Sequence, residues 1–477
     1  MWSNTLQLEE NWESGIIHTN GVEKWVLSAS EMLCNNLFEH WNIAVVYGAA
    51  MWDEWKGKVA TVVEGLKDLA RVAAPTWWWN AWHTVYFQNK KIALHELPWW
   101  ATIEHANVYL WQWRVIHMQW LAKEIKELQS IWVHTLWRIH VAWWAHVIFS
   151  SLQKALDGAI EGIKGKHAVW TTKAWIGPAY ALKALRTSVT INDIVSNNPH
   201  IKERIQNNLA LFLCINNEGA EIECNKEFDM IRTILLWLVN SGDVVVDTYN
   251  TVLKNEAISG KKILVECSQS ALLAIDWGFY PNVTSSDTTP NGIRSGLNIP
   301  MSNHTNVAVL KSIKSKVGNW PFPTKLHDCA LAEKYRKATG EVGATTWRNR
   351  DIWWFDTVET RKVLSSHPSN IIVLTRLDDL HHMWKVQFAT GYTNTVTGEK
   401  FASHTPLEND YDNTVVEYSR EYDVSDTITW ITDFNKLPTD YKNYVTDIMN
   451  VLQFQWNVYL WTGPYASDVI HYNPNQH

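Results

Sequence analysis

The sequence predicts an α/β fold, with a large, mostly parallel central sheet covered by helices and an inserted helical region. Three observations carry that expectation. Short apolar runs without polar alternation recur along the chain, which suits strands buried on both faces of a parallel sheet. Amphipathic stretches alternate with them, as helical cover requires. The length of 477 residues exceeds the ~150 of an ordinary domain, so one large domain with insertions or about three units can be enclosed.

Taken in order, residues 1–42 form an N-terminal extension, with one helix expected through EKWVLSASEMLCNNLFEHW (23–41). Residues 43–477 form the main domain. IAVVYG (43–48) is doubly apolar and ends in Gly, the pattern of a buried parallel strand. Beyond a polar turn, Val59, Val62, Val63, Leu66, Leu69 and Ala70 follow helical spacing and predict one amphipathic helix. WLAKEIKEL (120–128) continues the helical cover, and about 191–257 is strand-poor and helix-rich, the expected insertion. KKILVEC (261–267), NVAVL (306–310) and NIIVLTRL (370–377) read as inner strands. DCALAEKYRKA (328–338) and PTDYKNYVTDIMNVL (438–452) read as helices.

Composition excludes several functions. With 42 Lys and Arg against 49 Asp and Glu, the net charge of −7 argues against a nucleic-acid surface and leaves room for small anionic ligands at local basic sites. Five widely spaced cysteines without a CxxC pair indicate neither a disulfide framework nor a zinc site. The acidic first residues resemble no targeting signal. Apolar runs such as VAWWAHVIF (141–149) fall short of the ~20 residues of a membrane helix. The expected location is cytoplasmic. One imbalance stands out: average usage of ~7% predicts about 33 glycines, whereas the chain has 21 and carries 31 tryptophans.

The chemistry is expected after the first strand. GAAMWDEWKGK (48–58) lies between a strand and a helix, where backbone amides can cradle phosphate. Lys56 and Lys58 supply countercharge, and Asp53 a possible base or metal ligand. GxxxxGK[ST] cannot be laid on this loop, so it is not a Walker A motif.

The loop resembles the GxQWGDEGKGK signature of adenylosuccinate synthetases, and TWWWNAWHTV (76–85) resembles that family's QGGNNAGHTV. Matches continue in order through HELPWW (95–100), WQWRVIH (111–117), WTTKAWIGPAYALKALRT (170–187), VECSQSALLAIDWGFYPNVTSSDTTPNG (265–292), VGNWPFPTKL (317–326), GATTWRNRDIWWFD (343–356), LTRLDDL (374–380) and WTGP (461–464). Trp52, Trp55, Trp77, Trp78, Trp82, Trp100, Trp111, Trp113, Trp170, Trp175, Trp320, Trp347 and Trp353 stand where the family pattern has Gly. The number of such exchanges accounts for the glycine deficit.

The resemblance implies GTP-dependent ligation of IMP and L-aspartate to adenylosuccinate with magnesium, in purine nucleotide synthesis, by a homodimer that binds neither nucleic acid nor membrane. Asp53 and His83 fall on the catalytic positions. Asp53 also falls on the magnesium site, together with the carbonyl of Trp82. Lys56, Gly57, Lys58, Arg350, Arg376, Asp378 and Gly463 fall on GTP-binding positions. Asn80, Thr172, Gln269 and Thr284 fall on IMP-binding positions, and Arg186 on the arginine that reaches the neighbouring subunit's IMP. Thr345, Thr346 and Arg348 fall on the aspartate loop, where an arginine can hold a carboxylate bidentately. Asn349 and Asp351 replace two cationic positions, and Arg376 replaces the usual Lys beside Asp378.

The exchanges act on the ligand loops themselves. A non-Gly residue forced into the left-handed region loses ~1–2 kcal/mol, and indoles at Trp52, Trp55, Trp77, Trp78 and Trp82 either fill phosphate space or turn outward. Two rivals follow. One is a catalytically impaired or engineered relative that keeps the fold. The other is a Trp-rich binding module built on pairs such as Trp99–Trp100, Trp143–Trp144 and Trp353–Trp354.

Overall fold

The computed structural model describes residues 16–19, 22–25, 27–50, 54–63, 69–74, 83–87, 90–103, 105–153, 156, 176–213, 218–248, 251–297, 299–301, 303–316, 323–342, 349–402 and 413–475. Ten strands build the main sheet: β1 (Ile43–Gly48), β2 (Leu69–Ala74), β3 (Asn107–Leu110), β4 (Ile139–Ala142), β5 (Val245–Asp247), β6 (Lys262–Ser270), β7 (Thr305–Lys311), β8 (Ile371–Thr375), β9 (Asn457–Trp461) and β10 (Val469–Tyr472). Their spatial order is 5-4-3-2-6-1-7-8-9-10. Every neighbouring pair is parallel except the last, β9 with β10. The expected large, mostly parallel α/β sheet is what the chain forms.

β1 lies between β6 and β7, with Ile43 opposite Ile263 and Val46 opposite Val307. Its residues alternate between two cores. Ile43, Val45 and Tyr47 join the larger apolar cluster, while Ala44 and Val46 face a second one with Leu33, Leu37, Val59 and Val63. Central strands of a doubly covered sheet must be apolar on both faces, which is why these runs were legible. From β1 the chain runs outward to β5, returns between β2 and β1 as β6, then proceeds the other way. Open α/β sheets bind ligands beyond the carboxyl ends of strands at such a reversal.

Two helical readings need correction. The N-terminal stretch forms a hairpin, Ile16–Thr19 with Val22–Trp25, before a shorter helix, Ala29–Leu37. Ser28 starts that helix: its hydroxyl accepts from the Glu31 N–H, and the Glu31 carboxylate accepts from the Ser28 N–H at 2.7 Å, a capping box. The helix predicted through Ala70 spans Gly57–Val63, and Leu69 and Ala70 open β2. There the backbone pairs with β6 and β3, so tertiary pairing overrides a periodicity that ran across an element boundary.

Helices Ile191–Val195, Ile201–Leu213 and Glu218–Ser241 follow one another with β5 as the strand after them. Phe228, Ile231, Leu235 and Leu238 share a core with Leu121, Ile125 and Leu128 of the helix Met118–Ser130. Among the described residues no helix is long and apolar enough to cross a membrane.

Tryptophan takes two kinds of place. Trp111 and Trp353 are fully buried, so the Trp353–Trp354 pair is not an exposed platform. Their indole N–H groups have no partner among the described residues. Trp55, Trp132, Trp137, Trp384 and Trp430 have φ of 62°, 68°, 64°, 64° and 74°, the left-handed region that glycine favours. Trp132 is also 87% exposed, so its side chain contributes little packing. Trp132→Gly should therefore stabilise the chain by about 1 kcal/mol through relief of backbone strain, read as a higher urea midpoint. An unchanged or lower midpoint would mean the strain is absent.

Candidate active site

The loop after β1 is tied to its neighbours by backbone bonds. The Ala49 N–H donates to the Val309 carbonyl at 2.9 Å and the Leu272 N–H donates to the Ala50 carbonyl at 3.2 Å. Asp53 lies outside the described residues. Glu54 and Trp55 follow at φ 51° and 62°, and the helix Gly57–Val63 begins. The Glu54 carboxylate accepts from the Lys311 N–H at 3.0 Å, and its carbonyl accepts from the Thr375 hydroxyl at 3.1 Å. This fixes the turn against the ends of β7 and β8.

Lys58 bridges to the opposite side. Its Nζ donates to the Gly463 carbonyl at 3.1 Å and to the Pro464 carbonyl. Gly463 is required there, because a Cβ would stand 2.6 Å from Asp468 Oδ2. That carboxylate accepts from the Tyr465 N–H at 2.7 Å and closes the loop after β9. Burial pulls Lys58 down to about 8, although Asp378 and Asp468 favour its charge. Lys56 is fully buried, and its charge acts on Cys267 in β6.

β8 delivers Arg376 and Asp378. The Arg376 guanidinium pairs with Asp379, lies 3.8 Å from Glu341, donates to the Thr339 carbonyl at 3.1 Å and stacks 4.8 Å from the centre of the Trp55 ring. Glu341 is the hub that sequence reasoning missed. Its carboxylate also meets Lys311 at 3.4 Å, Arg350 at 2.7 Å and the Ser315 hydroxyl at 2.7 Å. Burial alone would raise its pKa, but Lys311, Arg350 and Arg376 hold it well below the usual carboxylate range. Asp378 moves the other way, up to about 6, through burial and the neighbouring Asp379.

Of the residues expected to bind GTP, the structure thus joins Lys58 directly to Gly463, sets Asp378 in the field of Lys58, and links Arg376 to Arg350 through Glu341. β6 brings Gln269 to the adjoining edge, within a register shift between Glu266 and Ser270; bulges of this kind re-aim side chains beside functional sites. Gln269 is buried, and its Oε1 has no partner among the described residues, an acceptor suited to a ligand donor. Thr284 is half-buried, and its N–H donates to the Leu273 carbonyl at 2.8 Å. Arg186 is exposed, at φ 62° beyond the helix Ile176–Ala184.

His83 opens the strand His83–Phe87, paired with Lys90–Leu94. Asp53, Asn80, Trp82, Thr172, Thr345, Thr346 and Arg348 lie outside the described residues. Among the described residues no group of three or more His, Cys, Asp or Glu side chains could hold a metal ion.

A purine nucleotide, the ligand that the sequence resemblance implies, would meet two titrating groups here. Asp378 loses its charge below about 6 and Lys58 loses its charge above about 8. Guanosine, which carries no phosphate, should bind more weakly as pH falls through 6. GDP affinity should fall as pH rises through 8, and Lys58→Arg, which stays charged, should flatten that alkaline limb. Calorimetric titration across this range checks both; a pH-independent wild-type affinity would contradict the assignment.

Comparison with known proteins adds a family. The profile described as adenylosuccinate synthetase matches residues 45–470. The adenylosuccinate synthetase of Plasmodium yoelii yoelii is 32% identical over 454 residues, covering 91% of this chain and 99% of that protein. That of Theileria parva is 30% identical over 425 residues, covering 86% and 94%. Among solved structures, the fully ligated adenylosuccinate synthetase from Plasmodium falciparum superposes with a TM-score of 0.78 at 26% identity, covering 90% of this chain and 99% of the other.

Proposed function

Because this chain belongs to the adenylosuccinate synthetase family, we propose that it ligates IMP and L-aspartate to adenylosuccinate at the expense of GTP. The observation that carries the reading is the convergence of Lys58, Arg376, Asp378 and Gly463, from three separate segments, on one edge of the sheet. Oxygen at C6 of a purine is a poor leaving group, and phosphorylation activates it. In the proposed sequence Asp53 takes the N1 proton, the 6-oxygen attacks the γ-phosphorus, and GDP departs. The aspartate amine then adds at C6, and the 6-oxygen leaves within inorganic phosphate. His83 acts as the acid that steadies the migrating phosphoryl group. Such catalysis is positioning plus electrostatics.

Asp378, charged near neutrality, accepts from the N1 and N2 donors of guanine. Gln269, with its unpartnered Oε1, helps to hold IMP, and Arg348 with Thr345 and Thr346 holds the aspartate carboxylate. The Asp53 carboxylate and the Trp82 carbonyl would hold magnesium, hard oxygens that suit this ion. When bound, it offsets negative charge on the phosphates.

IMP labelled with oxygen-18 at C6 tests the proposal. One labelled oxygen should appear in each phosphate released, whereas unlabelled phosphate would mean that water, not IMP, receives the phosphoryl group.

Arg186, exposed beyond its helix, supports an arginine contributed across a homodimer. Mixing Asp53→Ala chains with Arg186→Leu chains should restore part of the activity that each lacks alone. Failure to complement, with the chain monomeric by sedimentation, would remove the shared site.

A further inference from the structure

We propose that the exposed indole of Trp55 is the surface on which the guanine base stacks, with Arg376 behind it as a fixed support; this rests on the guanine-nucleotide reading of the site. A planar base needs a flat, accessible partner. Arg376 does not offer one: its side chain is 10% exposed and is held by Asp379, Glu341 and the Thr339 carbonyl. Trp55 covers the guanidinium at 4.8 Å from its ring centre and is itself 40% exposed. The accessible π-surface of this pair therefore belongs to the indole.

The geometry holds that indole in place before any ligand arrives. Trp55 sits at φ 62° between Glu54, which is bonded to β7 and β8, and Lys58, whose N–H donates to the Trp55 carbonyl at 3.0 Å. The cation beneath the ring strengthens the assembly. Lys58, one helical turn on, is anchored to Gly463 and lies in the field of Asp378. Stacking surface, hydrogen-bond acceptor and cation therefore share one rim.

Binding of guanosine, GDP and inorganic pyrophosphate to the full chain and to Trp55→Phe and Trp55→Leu tests the proposal, with circular dichroism as a folding check. Trp55→Leu should lose about tenfold or more in guanosine affinity, on the scale of one base–aromatic stack. Trp55→Phe should retain most of it, and pyrophosphate affinity should be the same in all three. In chain labelled with 5-fluorotryptophan, guanosine should shift the fluorine resonance that Trp55→Phe abolishes. Wild-type guanosine affinity in Trp55→Leu would overturn the stacking role while leaving the nucleotide site standing. So would equal losses for guanosine and pyrophosphate. A wild-type chain that binds neither guanosine nor GDP at any pH would overturn the nucleotide site itself, and the stacking role with it.

Discussion

Asp53→Ala and His83→Ala should each lower adenylosuccinate formation by about 10²–10⁴-fold, the usual loss on removing a positioned acid or base. In the proposed mechanism Asp53 is the base and His83 the acid. His83 opens a strand that pairs with Lys90–Leu94, and that partner strand leads into the buried His95–Leu97 turn. The variants should unfold with the wild-type urea midpoint, as a loss confined to catalysis requires. Because the two act in one phosphoryl-transfer step, the double variant should lose little more than either single one. Undiminished turnover in either single variant would remove that residue from the mechanism.

Returning Trp52, Trp77, Trp78 and Trp82 together to Gly should raise GTP affinity by about three to six orders of magnitude. A non-Gly residue where a phosphate loop needs the left-handed region loses ~1–2 kcal/mol, and four such losses compound at ~1.4 kcal/mol per decade of affinity, before indole volume is counted. The described tryptophans make that strain concrete, since five of them sit at φ between 62° and 74°. Trp55 is left out of the set because its indole packs over Arg376, where a stacking role is proposed for it. Trp144→Gly, at an exposed turn, is the control and should leave GTP affinity unchanged. Tight, magnesium-dependent GTP binding by the unaltered chain, with no gain in the quadruple variant, would show that the indoles clear the phosphate path.

Legibility followed burial and range. β1, β6, β7 and β8 were readable because strands covered on both faces must be continuously apolar. β3, β4 and β5 went unread: Asn107–Leu110, Ile139–Ala142 and Val245–Asp247 are too short to show any period. The helix reading of Leu69 and Ala70 failed because spacing alone cannot see a strand boundary inside its window. In the site, Lys58, Asp378 and Gly463 were found through their motifs. Glu341 was not, since its three cations come from β7, from Arg350 and from the end of β8, and no local pattern announces a hub assembled over such range. The one signal was the run LKSIKSK (310–316), where lysines that sit in a strand-like segment need buried anions. Lys311 finds Glu341 there, and Lys314 finds Glu359 at 2.7 Å. The left-handed tryptophans Trp132, Trp384 and Trp430 carry no mark of their own, because backbone conformation at a turn shows in sequence mainly when glycine occupies it.

The most direct test of the account is to incubate the chain with IMP, GTP, aspartate and magnesium at pH 7 and separate the products by chromatography. The account predicts adenylosuccinate, GDP and phosphate in equal amounts, with none formed when any one substrate is left out. Phosphate released from GTP without adenylosuccinate, or no product at saturating nucleotide from the glycine-restored chain, would contradict it.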